Sequence, residues 1–220
     1  HDLLHPLRTA FGRRWPDCRL QTAERVLLGM ERIDDLPGHR IPAVWADFVQ
    51  FGESVELEAL LTHNRIDLLS LAALLPALGH VYAEPGRSAP SSPGPVPEAR
   101  PDPAAIARMQ RRRRRPECAR AHLLAARHGL DARALLELAD LHRANGDWSL
   151  AVPLWVELAD SGWLAAAESL AKYHEHVSRD IAEALRWCER LCHAAPADPR
   201  HGRRRSRLEA RLQQRGELFA

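Results

Sequence analysis

The sequence predicts an α-rich fold in two parts, and three observations carry that prediction. Apolar residues recur at spacings of three and four through most of the chain, the period of a helix face. Residues 85–104 hold seven prolines among Ser, Gly and Ala, a composition that stays extended and divides the chain. Beyond it, two segments repeat each other at an interval of 32–33 residues, the mark of stacked helix pairs.

Composition bounds the function classes. With 220 residues, 45% hydrophobic and 27% charged, the chain is long enough for one large domain or two small ones. No charge-free apolar run reaches about 18 residues, so no membrane span is expected. No signal-peptide pattern opens the sequence. Residue 1 is His and the first residues already read as an element, so the sequence is expected to begin inside a longer reading frame or a processed product. Four scattered cysteines show no disulfide framework, and a reducing cytoplasm is the expected location. Charge is uneven. Residues 1–85 carry 8 arginines against 12 carboxylates, a net −4, whereas 86–116 carry 8 against 2, a net +6. Residues 117–220 balance at 15 each.

Taken in order, His1 to His5 read as the end of a strand, and Pro6 opens a short helix through Arg14. Cys18 to Gly29 is a helix with Leu20, Ala23, Val26 and Leu27 on its apolar face and Gly29 as its stop. Asp34 to Gly38 is a turn. Ile41-Pro42 starts a helix that carries Val44, Trp45, Phe48 and Val49 and stops at Gly52. A long apolar run follows from Leu57 to Leu78. Leu60, Leu61, Leu68, Leu71, Leu74, Leu75 and Leu78 are its expected core face, and Pro76 is expected to bend or close it. After the proline-rich stretch, Arg111 to Arg115 form an unbroken basic run that suits either phosphate contacts or a solvated helix start.

In the repeats, Leu138-Ala139 maps onto Leu170-Ala171, and Ala151 onto Ala184. A period near 33 residues, a Gly-Asp turn and small residues at the helix crossing make a tetratricopeptide-like signature. Such pairs bury their apolar faces only by stacking, so helices at 117–130 and 202–215 are expected to cap them. Cys188 and Cys192, four apart with His193 adjacent, lack a second ligand pair and are expected to pack rather than bind metal.

The residues with the most chemical content are His63 and Asp67. On a helix they lie one turn apart on the same side. Setting a carboxylate and an imidazole into a leucine-rich helix is costly unless each finds a partner, so they read either as a satisfied polar pair or as part of a site.

Several motifs then fall in one order: His1-Asp2-Leu3-Leu4-His5-Pro6 with Arg8; Cys18-Arg-Leu-Gln-Thr-Ala-Glu24 with Leu28-Gly29; Arg32-Ile-Asp-Asp-Leu-Pro37-Gly38; Ile41-Pro42; and His63-Asn64-Arg65-Ile66-Asp67-Leu68-Leu69-Ser70-Leu71. Together they resemble the YprB-type ribonuclease-H-like proteins, bacterial relatives of the DEDD 3′–5′ exonucleases, whose members often continue into tetratricopeptide-like helices. The resemblance implies residues 1–84 as the C-terminal half of an α/β ribonuclease-H-like domain, 85–116 as a Pro-rich then Arg-rich linker, and 117–220 as an all-α helical repeat module. It implies a two-metal phosphodiester hydrolysis with Mg2+ or Mn2+. Asp67 matches the fourth metal-binding carboxylate and His63 the residue that orients the attacking water. Asn64 would hold that histidine or touch substrate. Independently of the resemblance, Arg111, Arg112 and Arg113 of the basic run are candidate nucleic-acid contacts.

The family's Asp-x-Glu strand and middle acidic motif have no counterpart in residues 1–220. Glu24, Asp34, Asp35 and Asp47 fall on helices and a loop instead of a core strand. One carboxylate cannot hold two magnesium ions. The expectation is therefore part of a metal-dependent 3′–5′ exonuclease that is inactive as this isolated chain. A non-catalytic helical-repeat protein that docks a protein partner is the alternative.

Overall fold

In the computed structural model, residues 2–86 and 100–217 are described, and among them every regular element is helical. The chain divides into two compact units, His1–Ala126 and Arg127–Ala220. The α-rich expectation holds. The strand expected at the start is absent among the described residues, with His1 outside them. Instead Asp2 Oδ1 accepts from the Leu4 amide at 2.8 Å and leads into helix α1 (Leu4–Phe11). A strand needs a neighbour for its amides and carbonyls, and there is no second strand among the described residues.

The first unit is built around α4 (Leu57–Ala83), a 27-residue helix. Helix α2 (Leu20–Ala23) runs on into a π-helical turn, Glu24–Leu28, which ends at Gly29. Gly29 has φ +65°, the left-handed conformation that glycine adopts without steric cost. Helix α3 is Ile41–Phe51. The main core joins Leu7, Ala10, Phe11 and Trp15 to Val26 and Leu27, and to Leu74, Leu78 and Val81 of α4. Phe11 and Trp15 stack with ring centroids 4.3 Å apart. A smaller cluster of Leu36, Val44 and Leu60 secures α3 against the front of α4.

Two expectations about α4 are sharpened. Of the two outcomes expected at Pro76, closure does not occur, for the helix continues to Ala83. Nor is the leucine stripe buried across its whole width. Leu60, Leu74 and Leu78 are buried, whereas Leu61, Leu68, Leu71 and Leu75 are exposed, with Leu69 beside them. At 3.6 residues per turn the seven fall in one broad arc, with Leu71 only about 20° from Leu60 and Leu78, so the core covers one edge of the stripe and leaves the rest exposed. By length and composition alone, α4 is also long and apolar enough to cross a membrane, a property that the search for charge-free runs did not find.

The stretch read as linker is partly structural. Residues 87–99 lie outside the described residues, but Pro103–Arg112 forms α5 and Pro116–Ala125 forms α6. Asp102 caps α5 by accepting from the Ala105 amide at 3.0 Å, and Pro103 takes the first-turn position where no amide is needed. The Asp102 amide donates to Ala10 O at 2.7 Å, and Ile106 is fully buried in the main core. Helix α6 also belongs to this unit: His122 Nε2 donates to the Tyr82 carbonyl at 3.1 Å. The expected boundary near residue 117 thus differs from the division at Ala126–Arg127. Prolines that start helices read, by composition alone, like prolines of a linker.

The second unit stacks α7 (Ala132–Ala144), α8 (Trp148–Asp160), α9 (Leu164–His176), α10 (Ile181–Ala194) and α11 (Pro199–Glu217), each packing on the next. Residues matched by the repeat occupy matched environments. Leu138, Ala139, Ala151, Leu170, Ala171 and Ala184 are all fully buried. Gly146, at φ +84°, makes the first inter-helix turn; Arg179, at φ +60°, occupies the corresponding second turn. Cys188 is buried among Ile181, Ala184 and Leu208.

Replacing Ile106 by Ala is expected to lower the stability of the chain by about 2–5 kcal/mol in urea unfolding, as for a core aliphatic side chain. A change below about 0.5 kcal/mol, the size usual for a surface site, would return residues 103–112 to the status of a linker.

Candidate functional site

His63 and Asp67 stand near the start of α4, and both find partners from segments far away in the sequence. The centre is Arg32, which follows the Gly29 stop. Its Nε donates to Glu24 Oε2 at 2.7 Å and its Nη2 to Glu24 Oε1 at 2.5 Å, a bidentate pair. The same Nη2 donates to Asp67 Oδ1 at 2.6 Å, and Nη1 donates to Asp35 Oδ2 at 3.0 Å. One guanidinium therefore joins the π-helical turn, the loop after it and α4.

His63 closes the ring. Its Nδ1 lies 2.7 Å from Asp35 Oδ1, and because an ionised carboxylate only accepts, Nδ1 carries the proton and donates. The 3.5 Å approach of Arg32 Nη1 to that nitrogen is then packing between two donors. His63 Nε2 faces Asp67 Oδ2 at 3.5 Å. Gln21 Nε2 adds a bond to Asp35 Oδ2 at 3.3 Å.

Burial falls outward across the network. Glu24 is fully buried, the side chains of Arg32, Asp35 and His63 are mostly so, and Asp67 keeps 34% of its side chain exposed. Asn64 is exposed on the same helix. A carboxylate as deep as Glu24 persists only when paired, and Arg32 pairs it twice. The hydrogen bond to Glu24 is the largest influence that raises the Arg32 pKa still further above its ordinary value. Burial pushes the Asp35 carboxyl up, but hydrogen bonds from His63 and Arg32 outweigh it and hold the pKa below the ordinary 3.8.

The residues present do not by themselves fit a two-metal site. Among the described residues no three His, Cys, Asp or Glu side chains are placed to hold a metal ion. Asp67 Oδ1 is taken by Arg32, and both Glu24 oxygens are engaged. What the arrangement does is fix the rotamers of Asp67 and His63 while leaving Asp67 open to solvent on one side.

Of the residues singled out from sequence, His63, Asn64 and Asp67 all lie in the first half of α4, His63 mostly buried, Asp67 partly exposed and Asn64 exposed. Arg111 and Arg112 end α5, and Arg113 lines a separate cavity of about 710 Å³ in the first unit, together with Arg115, Tyr82 and His122. Glu24, Arg32 and Asp35 were not foreseen as partners of Asp67. The one available signal was that motifs of the ordered series contain all three.

Arg32→Ala is expected to cost about 3–5 kcal/mol in chemical unfolding, because it leaves Glu24 buried and unpaired. A paired Glu24→Gln change should offset part of that loss in a double-mutant cycle. Asp35 makes a second prediction. Its folded pKa lies below the unfolded one, so its contribution is present above about pH 4 and is lost as pH falls through the folded value. Asp35→Asn should therefore be less stable at neutral pH and show a flatter stability profile below pH 4; a profile parallel to that of the parent chain would count against the network.

Comparison with known proteins locates this network. Residues 1–78, which contain all of it, match the family model of the RNase_H superfamily. The uncharacterized protein YprB of Bacillus subtilis (strain 168) is 29% identical over 195 residues, covering 86% of this chain. The chain spans 45% of the length of that relative. No solved structure matches. The family match and the relative together support a ribonuclease-H-like relationship for this chain, centred on the unit that holds His63 and Asp67.

Proposed function

We propose that the first unit contributes the helical, Asp67-bearing side of a ribonuclease-H-like nuclease that degrades nucleic acid from the 3′ end. The observation that carries this reading is the convergence of three separated motifs on Asp67. Glu24, Arg32-Asp35 and His63 all serve to hold one partly exposed carboxylate, inside the region that matches the superfamily. A carboxylate held this firmly and left open on one side suits a group that must meet a ligand in fixed geometry.

In this reading Asp67 is one metal-binding carboxylate, and His63, its ring fixed by Asp35, orients water. Asn64 touches substrate, and Arg111, Arg112 and Arg113 contribute phosphate contacts. In this reading the other metal-binding carboxylates are supplied by residues other than 1–220, and a magnesium or manganese requirement belongs to the site so completed. The test is hydrolysis of 3′-labelled single-stranded and duplex DNA and RNA by the full reading frame in Mg2+ or Mn2+. Asp67→Asn should lower the rate by on the order of 100-fold or more, several kcal/mol of lost charge stabilisation. An inactive full-length protein, or an Asp67→Asn variant as fast as its parent, overturns the reading.

A second reading has its own support. The second unit is a stack of helices whose repeat-equivalent residues are equally buried, which supports reading it as a tetratricopeptide-like module that docks a protein partner. It is compatible with the first and concerns a different part of the chain.

A further inference from the structure

The second unit contains a pocket of about 330 Å³ between α7, α8 and α9. Its wall is aromatic. Trp148 lies 5.3 Å from Tyr173 and 6.4 Å from Trp155, centroid to centroid. Trp155 is fully buried, and its indole N–H has no hydrogen-bond partner among the described residues. An indole nitrogen can only donate.

Arg143 and Lys172 also line this pocket, and they too can only donate. Each is held by a carboxylate on its own helix: Arg143 Nε is 3.6 Å from Asp140 Oδ1, and Lys172 Nζ is 2.7 Å from Glu168 Oε1. Both cations are about half exposed, and such pairs contribute little, so an incoming carboxylate can replace or share them. The pocket thus offers an aromatic surface with an unmet donor, edged by two cations and by Asp140, the exposed carboxylate that pairs Arg143. Its chemical complement is an apolar group with carboxylates beside it.

We propose that this pocket binds an acidic peptide segment, seating one aromatic or aliphatic side chain against Trp148 and Tyr173 with flanking carboxylates on Arg143 and Lys172. The volume suits one or two side chains and lies at the small end of ligand pockets. A nucleic-acid strand is the poorer fit. Residues 127–220 carry 14 basic and 14 acidic side chains, so there is no net positive field to gather a polyanion. Three arginines of α11 are committed elsewhere. Arg204, Arg207 and Arg211 all turn to Glu175, which is almost wholly buried. The inference rests on the partner-docking reading of the second unit and names its partner class; it does not depend on the nuclease reading.

The probe is a set of fluorescein-labelled octapeptides with a central Phe, Trp or Leu flanked by Glu, titrated with the full chain and read by anisotropy. Saturable binding in the micromolar range is expected. Lys172→Glu and Arg143→Glu should each weaken it by about tenfold with unchanged helical circular dichroism, and the same peptides with Lys for Glu should not bind. The proposal is overturned by flat titrations, by binding that neither charge reversal affects, or by displacement of the peptide by a twelve-nucleotide oligothymidylate. A pull-down from the native host with residues 127–220 deleted separates the two levels. Loss of a partner on deletion together with flat peptide titrations keeps the docking reading and discards the pocket.

Discussion

The first unit depends on the pairing of Glu24 with Arg32. Glu24 sits at the start of a π-helical turn whose other residues, Val26 and Leu27, enter the main core. Burying that face carries the carboxylate inward with it. A buried carboxylate needs a hydrogen-bonded counter-charge, and a guanidinium supplies it in planar, bidentate form. Arg32 can reach because Gly29 ends the helix in the left-handed conformation and turns the chain back. Once Arg32 is committed to Glu24, its remaining donors point to Asp35 and Asp67. The geometry at the front of α4 is thus a consequence of a charge buried one element away.

That dependence explains why Asp67 is positioned so firmly although it is the most exposed member. An exposed carboxylate four residues from a histidine would, by itself, gain little from the pairing and would sample several rotamers. Here the Arg32 contact fixes one oxygen and His63 faces the other. His63 is in turn fixed by Asp35, on a loop that Arg32 also holds. Such a closed ring is more rigid than its separate pairs, since each side chain is already ordered by its neighbours when the next bond forms.

Much of the layout was legible from sequence, for stated reasons. The i, i+4 relation of His63 and Asp67 and the stops at Gly29 and Gly52 are local signals, and both are seen in the structure. The residues matched at an interval of 32–33 are buried alike. The cost of a carboxylate and an imidazole in a leucine-rich helix implied partners, and the partners exist. Their identity was not legible, because Arg32 and Asp67 are 35 residues apart and nothing periodic links them. The same limit applies to the leucines of α4. Spacings of three and four fit both a buried stripe through Leu60, Leu74 and Leu78 and an exposed one through Leu61, Leu68 and Leu75. Pro103 misled in the opposite way. Its neighbour Asp102 is a capping residue, and cap plus proline is a helix start that composition alone assigns to a linker.

The two units place charge in opposite ways, and this bears on what each can bind. In the first, three carboxylates are gathered on one guanidinium, and the most exposed of them faces solvent beside an imidazole. In the second, three arginines are gathered on one buried glutamate, Glu175, which takes up part of their hydrogen-bonding capacity. A basic helix such as α11 therefore overstates the positive surface that the fold presents. The cations left on α7 and α9 are few, lie beside aromatic rings, and are held only by exposed pairs on their own helices. Few cations next to an apolar wall select for a short acidic segment with an apolar anchor, whereas a nucleic-acid backbone needs many cations in a row. Basic and acidic side chains balance in residues 117–220, so the composition of that stretch gives no net charge in favour of nucleic acid. In the first unit, the nucleic-acid reading rests on the geometry around Asp67 and on the superfamily match, and does not need the arginine count.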